Sequence, residues 1–281
     1  MIHSFSCKNF YSFGELTTVN FAVNDNAPQN DGYFKARSGT RLSKVETVIG
    51  SNASGKTNLL KVLPFLKWLI VDSFNTKPED PIVVQSFAFG DQKNKSTELS
   101  VIFEVNENVY TYNFVLNKNK ILTEELKLKN KAKEKVTSKK IFSRSWNETN
   151  NQYDFEDKNF NLPKGFENLL RKNASVIGTA ARLNHKESQD IAKFWQQIET
   201  NVIEAGWIGD YLMPPNTQQL LGVLDFYSED ANEAIKKEAE KLLSRFDLGL
   251  LGFEIKKEKK GNGLSLNVSA AHSFNGQKQN L

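Results

Sequence analysis

Eight consecutive residues have the types and the spacing of a phosphate-binding loop. They are Gly50, Ser51, Asn52, Ala53, Ser54, Gly55, Lys56 and Thr57, which match G-x-x-x-x-G-K-[ST] at every fixed position. The short apolar run 45–49 precedes them and predicts a strand, and the apolar segment 58–70 follows them and predicts a buried helix. Because strand, loop and helix occur in the order that the motif requires, we predict a nucleoside triphosphate site here.

The chemistry of this loop follows from three residue types. Gly50 and Gly55 lack a Cβ, so the backbone can approach a ligand closely and turn consecutive N–H groups toward phosphate oxygens. Lys56 is expected to reach the β- and γ-phosphates and is the one residue assigned a catalytic role, while the Thr57 hydroxyl is expected to coordinate Mg²⁺. The helix that begins near Lys56 adds its positive end. The motif alone leaves ATP, GTP and a kinase reaction open.

Period-two alternation predicts most of the remaining elements as strands. These strands are predicted at 2–10, 17–21, 83–89, 98–105, 109–116, 121–128 and 141–146, with a final hairpin at 252–259 and 264–270. Helical periodicity is found at 166–172, 188–203 and 231–245. The strands between 83 and 146 are joined by short turns, so they are expected to form an antiparallel meander.

Composition limits the class of protein. With 39% hydrophobic residues the chain can fill a core, and a net charge of +4 is too small to predict a nucleic-acid partner. The lone cysteine, Cys7, is interpreted as a buried group in a reducing compartment, and His3, His185 and His272 lack metal-ligand spacing. The apolar stretch 59–71 is shorter than the about 20 residues that cross a membrane. We therefore expect a cytoplasmic protein with no membrane partner.

Two segments resemble a known family. Residues 5–13, FSCKNFYSF, are similar to the F-x-x-x-N-F-R-S-F start of ABC-type ATPases related to RecF, the structural-maintenance-of-chromosomes proteins and the OLD family. Residues 49–60, IGSNASGKTNLL, are similar to their G-x-N-x-S-G-K-[ST]-N-L-L loop. In that group, asparagines at the positions of Asn52 and Asn58 accompany ATP. The resemblance therefore implies ATP and Mg²⁺ as cofactors and Asn58 as a further nucleotide-binding residue.

The chain resembles still more closely the RloA-like AAA ATPases of bacterial anti-phage and abortive-infection operons. The similar segments follow that subgroup's order at 96–99, 110–114, 121–125, 141–144, 173–184 and 246–249. The resemblance also implies Gln85 as a second Mg²⁺ ligand, since ABC-type ATPases use a glutamine after this helix to sense the metal and the attacking water. An exposed strand glutamine is the plainer interpretation.

The sequence departs from the family in two respects. Tyr11 stands where the wider family has arginine, and we find no signature motif and no Walker B segment. The apolar run 220–225 ends in Asp225, but Phe226 occupies the position of the catalytic glutamate, so Asp225 is interpreted as a helix cap. Because the family carries these motifs later in the chain, we interpret the sequence as an N-terminal part. It is expected to bind ATP·Mg²⁺ weakly without hydrolysing it, whereas the longer protein is expected to be an ATPase.

The expected fold is α/β. Residues 1–165 are expected to form a P-loop lobe of the ABC-ATPase type with an antiparallel β-subdomain, 166–245 a helical insertion, and 246–281 strands returning to the core. The resemblance implies a homo-oligomer that regulates a toxic effector, a nuclease or toxin of the same operon. Two alternatives stay open: a RecF-like repair ATPase that clamps DNA, and a scaffold in which nucleotide only stabilises an assembly.

Overall fold

A computed structural model describes residues 1–24, 26–27, 30–131, 136–200, 226–227, 229–246, 250–260, 263–274 and 277–280. The fold is mixed α/β, with one large antiparallel sheet and few helices among these residues. The chain divides into two compact units, Met1–Val48 with Thr57–Trp207 and Ile49–Lys56 with Ile208–Leu281. The predicted division at residues 165 and 245 stays a prediction.

The first unit is built around a seven-stranded sheet. The strands of this unit are β1 (Ile2–Lys8), β2 (Thr17–Asn20), β3 (Tyr33–Lys35), β4 (Arg41–Ser43), β5 (Thr97–Val105), β6 (Asn108–Leu116), β7 (Ile121–Lys131), β8 (Val136–Asn147) and β9 (Gln152–Asp157). The sheet order is β2-β1-β5-β6-β7-β8-β9, with every pair antiparallel, while β3 and β4 form a separate hairpin. The predicted meander is confirmed in β5 to β8, whereas β9 was not predicted.

Helices supply the other half of this core. They are α1 (Lys56–Leu60), α2 (Val62–Lys67), a π-helix (Trp68–Asp72), α3 (Val176–Arg182) and α4 (Lys186–Gln196). Burial alternates along β1 and β6 because successive side chains of a strand point to opposite faces. The buried face carries Cys7, Val101 and Tyr112 and packs with apolar residues of α2 and the π-helix. Cys7 is fully buried, as predicted, and burial raises the pKa of its thiol to about 12.

The predicted strands at 45–49 and 83–89 are absent, so both predictions are wrong. Residues 45–50 form neither helix nor strand, and Val45 and Ile49 are 75% and 86% exposed. Residues 81–88 keep part of the alternation, with Ile82 buried, but pair with no strand. A strand requires a neighbour that exchanges backbone hydrogen bonds with it. The Phe87 N–H instead donates to the Asn9 side chain at 2.9 Å, which leaves 81–88 as an extended segment outside the sheet.

The predicted helices are confirmed in part. The segment 188–203 contributes most of α4, 231–245 corresponds to α5 (Glu233–Phe246), and 166–172 forms only a short 3₁₀ helix (Phe166–Leu169). The predicted final hairpin is present as β10 (Leu250–Lys260) and β11 (Gly263–Phe274), joined by β12 (Gln277–Asn280) in a three-stranded antiparallel sheet. Asp225 and the run 220–225 lie outside the described residues. Within the described ranges, no helix is long and apolar enough to cross a membrane.

A buried hydrogen bond between two side chains joins β1 to β5. His3 Nε2 lies 3.1 Å from Glu104 Oε2, and both side chains are about 5% exposed. Burial lowers the pKa of His3, and the nearby N-terminal amine and Lys129 lower it further against the opposing effect of Glu104. Burial raises the pKa of Glu104, but hydrogen bonds from Ser38 and His3 outweigh it and hold that pKa below its usual value.

Acidification is expected to destabilise the fold where His3 titrates. Because the pKa of His3 is lower in the fold than the about 6.5 of an unfolded chain, the unfolded state binds more protons below that pH, and the free energy of unfolding falls. Glu104 acts with the same sign only below about pH 4.5. Urea unfolding between about pH 5 and 7 should therefore show a smaller slope for His3→Gln than for the wild type. Identical slopes would exclude His3 as the group that titrates.

Candidate functional site

The predicted phosphate loop is an exposed turn. Residues 50–54 are exposed, and turns or bends run from Asn52 to Gly55 before α1 begins. The Ser54 N–H donates to the Ser51 carbonyl at 3.4 Å, which closes the backbone on itself. Ala53 and Gly55 adopt φ of 60° and 88°, in the left-handed region. The loop is therefore curved and open to solvent, as an anion cradle requires.

Lys56 folds back over this loop. Its Nζ donates to the carbonyls of Gly50 at 2.9 Å and Ser51 at 2.5 Å, although the side chain remains partly exposed. A Cβ added at Gly50 would lie 2.7 Å from Ser54 Oγ, so a side chain at this position would displace Ser54. The ammonium therefore lies against the carbonyls of the loop.

Ala53→Gly is expected to stabilise the protein. A left-handed backbone costs a non-glycine residue about 1–2 kcal/mol, and glycine loses part of this gain to its higher unfolded-state entropy. We expect the Tm to rise by about 1–4 °C. The control is Ala181→Gly in α3, where glycine should cost about 1 kcal/mol and lower the Tm. A lower Tm for Ala53→Gly would show that its φ carries no strain.

The remaining predicted site residues lie in the first unit. Thr57 is exposed in the first turn of α1. Its carbonyl accepts from the Lys61 N–H at 3.1 Å, which continues the helical hydrogen bonding from α1 toward α2. Asn58 Nδ2 donates to Ser12 Oγ at 2.6 Å. Asn58 therefore has a protein partner that its assignment to the nucleotide did not anticipate.

Gln85 lies in the extended segment rather than on the predicted strand. Its side chain is exposed, and its carbonyl accepts from the Tyr11 N–H at 2.8 Å. Within the described residues, no hydrogen bond joins the Gln85 side chain to Thr57. Its assignment as a ligand stays a prediction.

The donors of the loop fit a triphosphate. Residues 50–58 contain no acidic side chain and one lysine, and the first four N–H groups of a helix have no partner within it. These amides and the Lys56 ammonium would contact phosphate oxygens, and the Thr57 hydroxyl would contact a Mg²⁺ ion bound with them. Across the described ranges no group of three or more His, Cys, Asp or Glu side chains could hold a metal ion.

A buried polar network was missed by sequence reasoning. Arg144 of β8 pairs with Glu124 of β7, Nη2 to Oε2 at 2.6 Å, with both side chains fully buried. Glu124 Oε1 also accepts from the Val176 N–H at 2.8 Å and from the Tyr112 hydroxyl, and Arg144 donates to the Ala174 carbonyl at 2.6 Å. The network therefore fixes the start of α3 to the sheet. Burial and the nearby Glu124 raise the pKa of Tyr112.

This network unites four of the segments that carry the family resemblance. Those segments are 110–114, 121–125, 141–144 and 173–184. The sequence does carry a signal for this pair, because residues two apart in a strand point to the same face. Glu124 therefore shares a face with Leu126 and Arg144 shares one with Phe142, and both apolar residues are fully buried. A charged residue on an apolar strand face predicts a buried ion pair.

Two cavities lie elsewhere in the first unit. They measure about 500 and 540 Å³, flank the turn between β5 and β6, and share Asn106 and Asp190 of α4 in their walls. Neither is lined by a residue of 50–58 or by Gln85. The predicted site residues are therefore distinct from the linings of these two cavities.

Comparison with known families places the loop within a matched ATPase domain. Residues 47–176 match a family model described as "AAA domain, putative AbiEii toxin, Type IV TA system". The match contains the entire loop 50–57 and extends through β5 to β9 to the first residue of α3. It supports an ATPase of the AAA/ABC type, a class that binds nucleotide, usually with Mg²⁺. No curated protein matches the chain.

Proposed function

We propose that the chain is the ATP-binding part of an ABC-type ATPase that senses infection and regulates a toxic effector in bacterial anti-phage defence. The loop 50–57 binds the phosphates of ATP with Mg²⁺, and ATP drives association into a dimer or larger homo-oligomer. The effector is a nuclease or toxin of the same operon. Among such proteins, the RloA-like ATPases are the group to which we assign the chain.

One observation carries the nucleotide part of this proposal. The Lys56 ammonium is held against the carbonyls of an exposed loop, where an incoming phosphate can replace those carbonyls as its partner. The defence part rests on the family description, which names a toxin of a type IV toxin–antitoxin system. The resemblance of residues 96–184 to RloA-like proteins points in the same direction.

Sedimentation velocity of the chain tests the proposal. We expect the mass to at least double with ATP·Mg²⁺ and to remain that of a monomer with ADP·Mg²⁺ or without nucleotide. Lys56→Ala should remain monomeric under all three conditions. A monomer that binds ATP would contradict nucleotide-driven association. Salt-dependent binding of duplex DNA would instead favour the repair ATPase.

A further inference from the structure

One buried asparagine organises the segment that follows the helices. Asn9 is 1% exposed and adopts φ of 52° at the end of β1. Its Nδ2 donates to the carbonyls of Gln92 at 2.9 Å and Lys95 at 2.8 Å, and its Oδ1 accepts from the Phe87 N–H at 2.9 Å. The side chain thus supplies backbone partners that a neighbouring strand would otherwise provide for residues 85–96.

The next four residues form a turn with two further attachments. Phe10 and Phe13 exchange backbone hydrogen bonds at 2.9 Å, which closes the turn 10–13. Inside it, the Tyr11 N–H donates to the Gln85 carbonyl at 2.8 Å, and Ser12 Oγ accepts from Asn58 Nδ2 at 2.6 Å. The turn therefore contacts both α1 and the segment 85–96.

A second contact strengthens the attachment to the helix. Lys61 Nζ lies 4.4 Å from the centroid of the Tyr11 ring, within the range of a cation–π interaction. Tyr11 itself has φ of 48°, so its orientation depends on the turn. Asn58 and Lys61 are three residues apart and share one face of the helical stretch. One helix face therefore holds Ser12 and Tyr11 together.

We infer that the turn 10–13 couples occupancy of the phosphate loop to the segment 85–96. This inference rests on the proposed nucleotide function. Ligand contacts at Thr57 fix the first turn of α1, and Asn58, one residue further on, transmits that change to Ser12. From there it passes through the Tyr11 N–H to Gln85. The segment can respond because it belongs to no strand ladder and is bonded instead to the Asn9 side chain and the Tyr11 N–H.

Hydrogen exchange of the full chain with and without ATP·Mg²⁺ tests this coupling. In the wild type, nucleotide should slow hydrogen exchange of the Phe87 and Lys95 amides at least about threefold. This is a small change relative to the range of exchange rates that local opening free energies produce in proteins. Ser12→Ala should bind a fluorescent ATP analogue within about threefold of wild-type affinity, because the serine lies outside the phosphate loop and its hydroxyl accepts from Asn58, yet lose most of the nucleotide-dependent protection. Ser145→Ala, at an exposed position of β8, should retain it.

The outcomes separate this inference from the proposed function. Nucleotide binding without any change at 85–96, or unchanged protection in Ser12→Ala, would overturn the coupling and leave the nucleotide site standing. Failure of the wild type to bind the analogue would overturn both. Asn9→Asp, which removes the Nδ2 donor, should speed exchange at 87–95 with or without nucleotide. If that variant does not fold, Ser12→Ala still decides the question.

Discussion

Lys56→Ala is expected to lower the affinity for ATP·Mg²⁺ about 10- to 100-fold, since a hydrogen bond from a charged group contributes about 1.5–3 kcal/mol. Among the described residues, the ammonium donates to the carbonyls of Gly50 and Ser51. Transfer to phosphate oxygens replaces neutral acceptors by anionic ones, which form stronger hydrogen bonds. The lost binding free energy therefore comes mainly from hydrogen bonds that Lys56 makes in the ATP-bound state.

Fold stability provides the internal control for this variant. Lys56 is partly exposed and its described hydrogen bonds lie within the loop, so Tm should change by less than about 2 °C. Lys44→Ala, which removes an equal charge from an exposed position ahead of the loop, should bind ATP within about twofold of the wild type. Calorimetric titration of the three proteins at one salt concentration measures the difference. Equal affinities for Lys56→Ala and the wild type would remove the nucleotide site at 50–57.

The loop could be predicted because its signal is local. Gly50, Gly55 and Lys56 act through backbone geometry and one side chain within eight residues, and a hydrogen bond from Lys56 Nζ to the Gly50 carbonyl joins the two ends of the loop. The strand predicted ahead of the loop depends on a neighbour that no local pattern can specify. The exposure of Ile49 reflects that dependence.

Tertiary contacts explain what sequence reasoning missed at Gln85 and Asn58. The alternation at 81–88 is present, but Asn9, more than seventy residues earlier in the chain, supplies the hydrogen bonds that decide its conformation. The partner of Asn58 is Ser12, 46 residues away. No periodic sequence pattern predicts either pairing, so the family resemblance alone assigned Asn58 to the ligand.

The missed helix α3 shows the same limit. Its sequence VIGTAAR is short and contains a glycine and β-branched residues, which disfavour an isolated helix. The helix forms because Ser175 Oγ accepts from the Gly178 N–H at 2.9 Å and Glu124 accepts from the Val176 N–H. A Cβ at Gly178 would lie 3.0 Å from the Ile70 carbonyl, so the glycine allows the π-helix to approach closely.

The largest loss of stability is expected from breaking the buried pair. Glu124→Gln leaves the Arg144 guanidinium buried without a counterion, and removal of one partner from such a pair costs about 3–5 kcal/mol. Urea unfolding at neutral pH measures this loss. The matched control is Glu125→Gln, one residue further along β7, whose carboxylate pairs with Lys127 on the partly exposed face and should contribute less than about 1 kcal/mol. Equal effects of the two variants would contradict the assigned burial.

The double variant Glu124→Leu with Arg144→Met separates charge from hydrogen bonding. If the cost of Glu124→Gln comes from an uncompensated cation, removing both charges should recover part of it, because apolar replacement of a buried pair is often neutral or better. Recovery should be incomplete, since the Val176 N–H and the Ala174 carbonyl lose their partners and each unsatisfied group costs about 1–3 kcal/mol. A double variant whose loss equals the sum of its two single substitutions would show that the charges do not interact. Partial rescue would show instead that the network anchors α3 mainly through backbone hydrogen bonds.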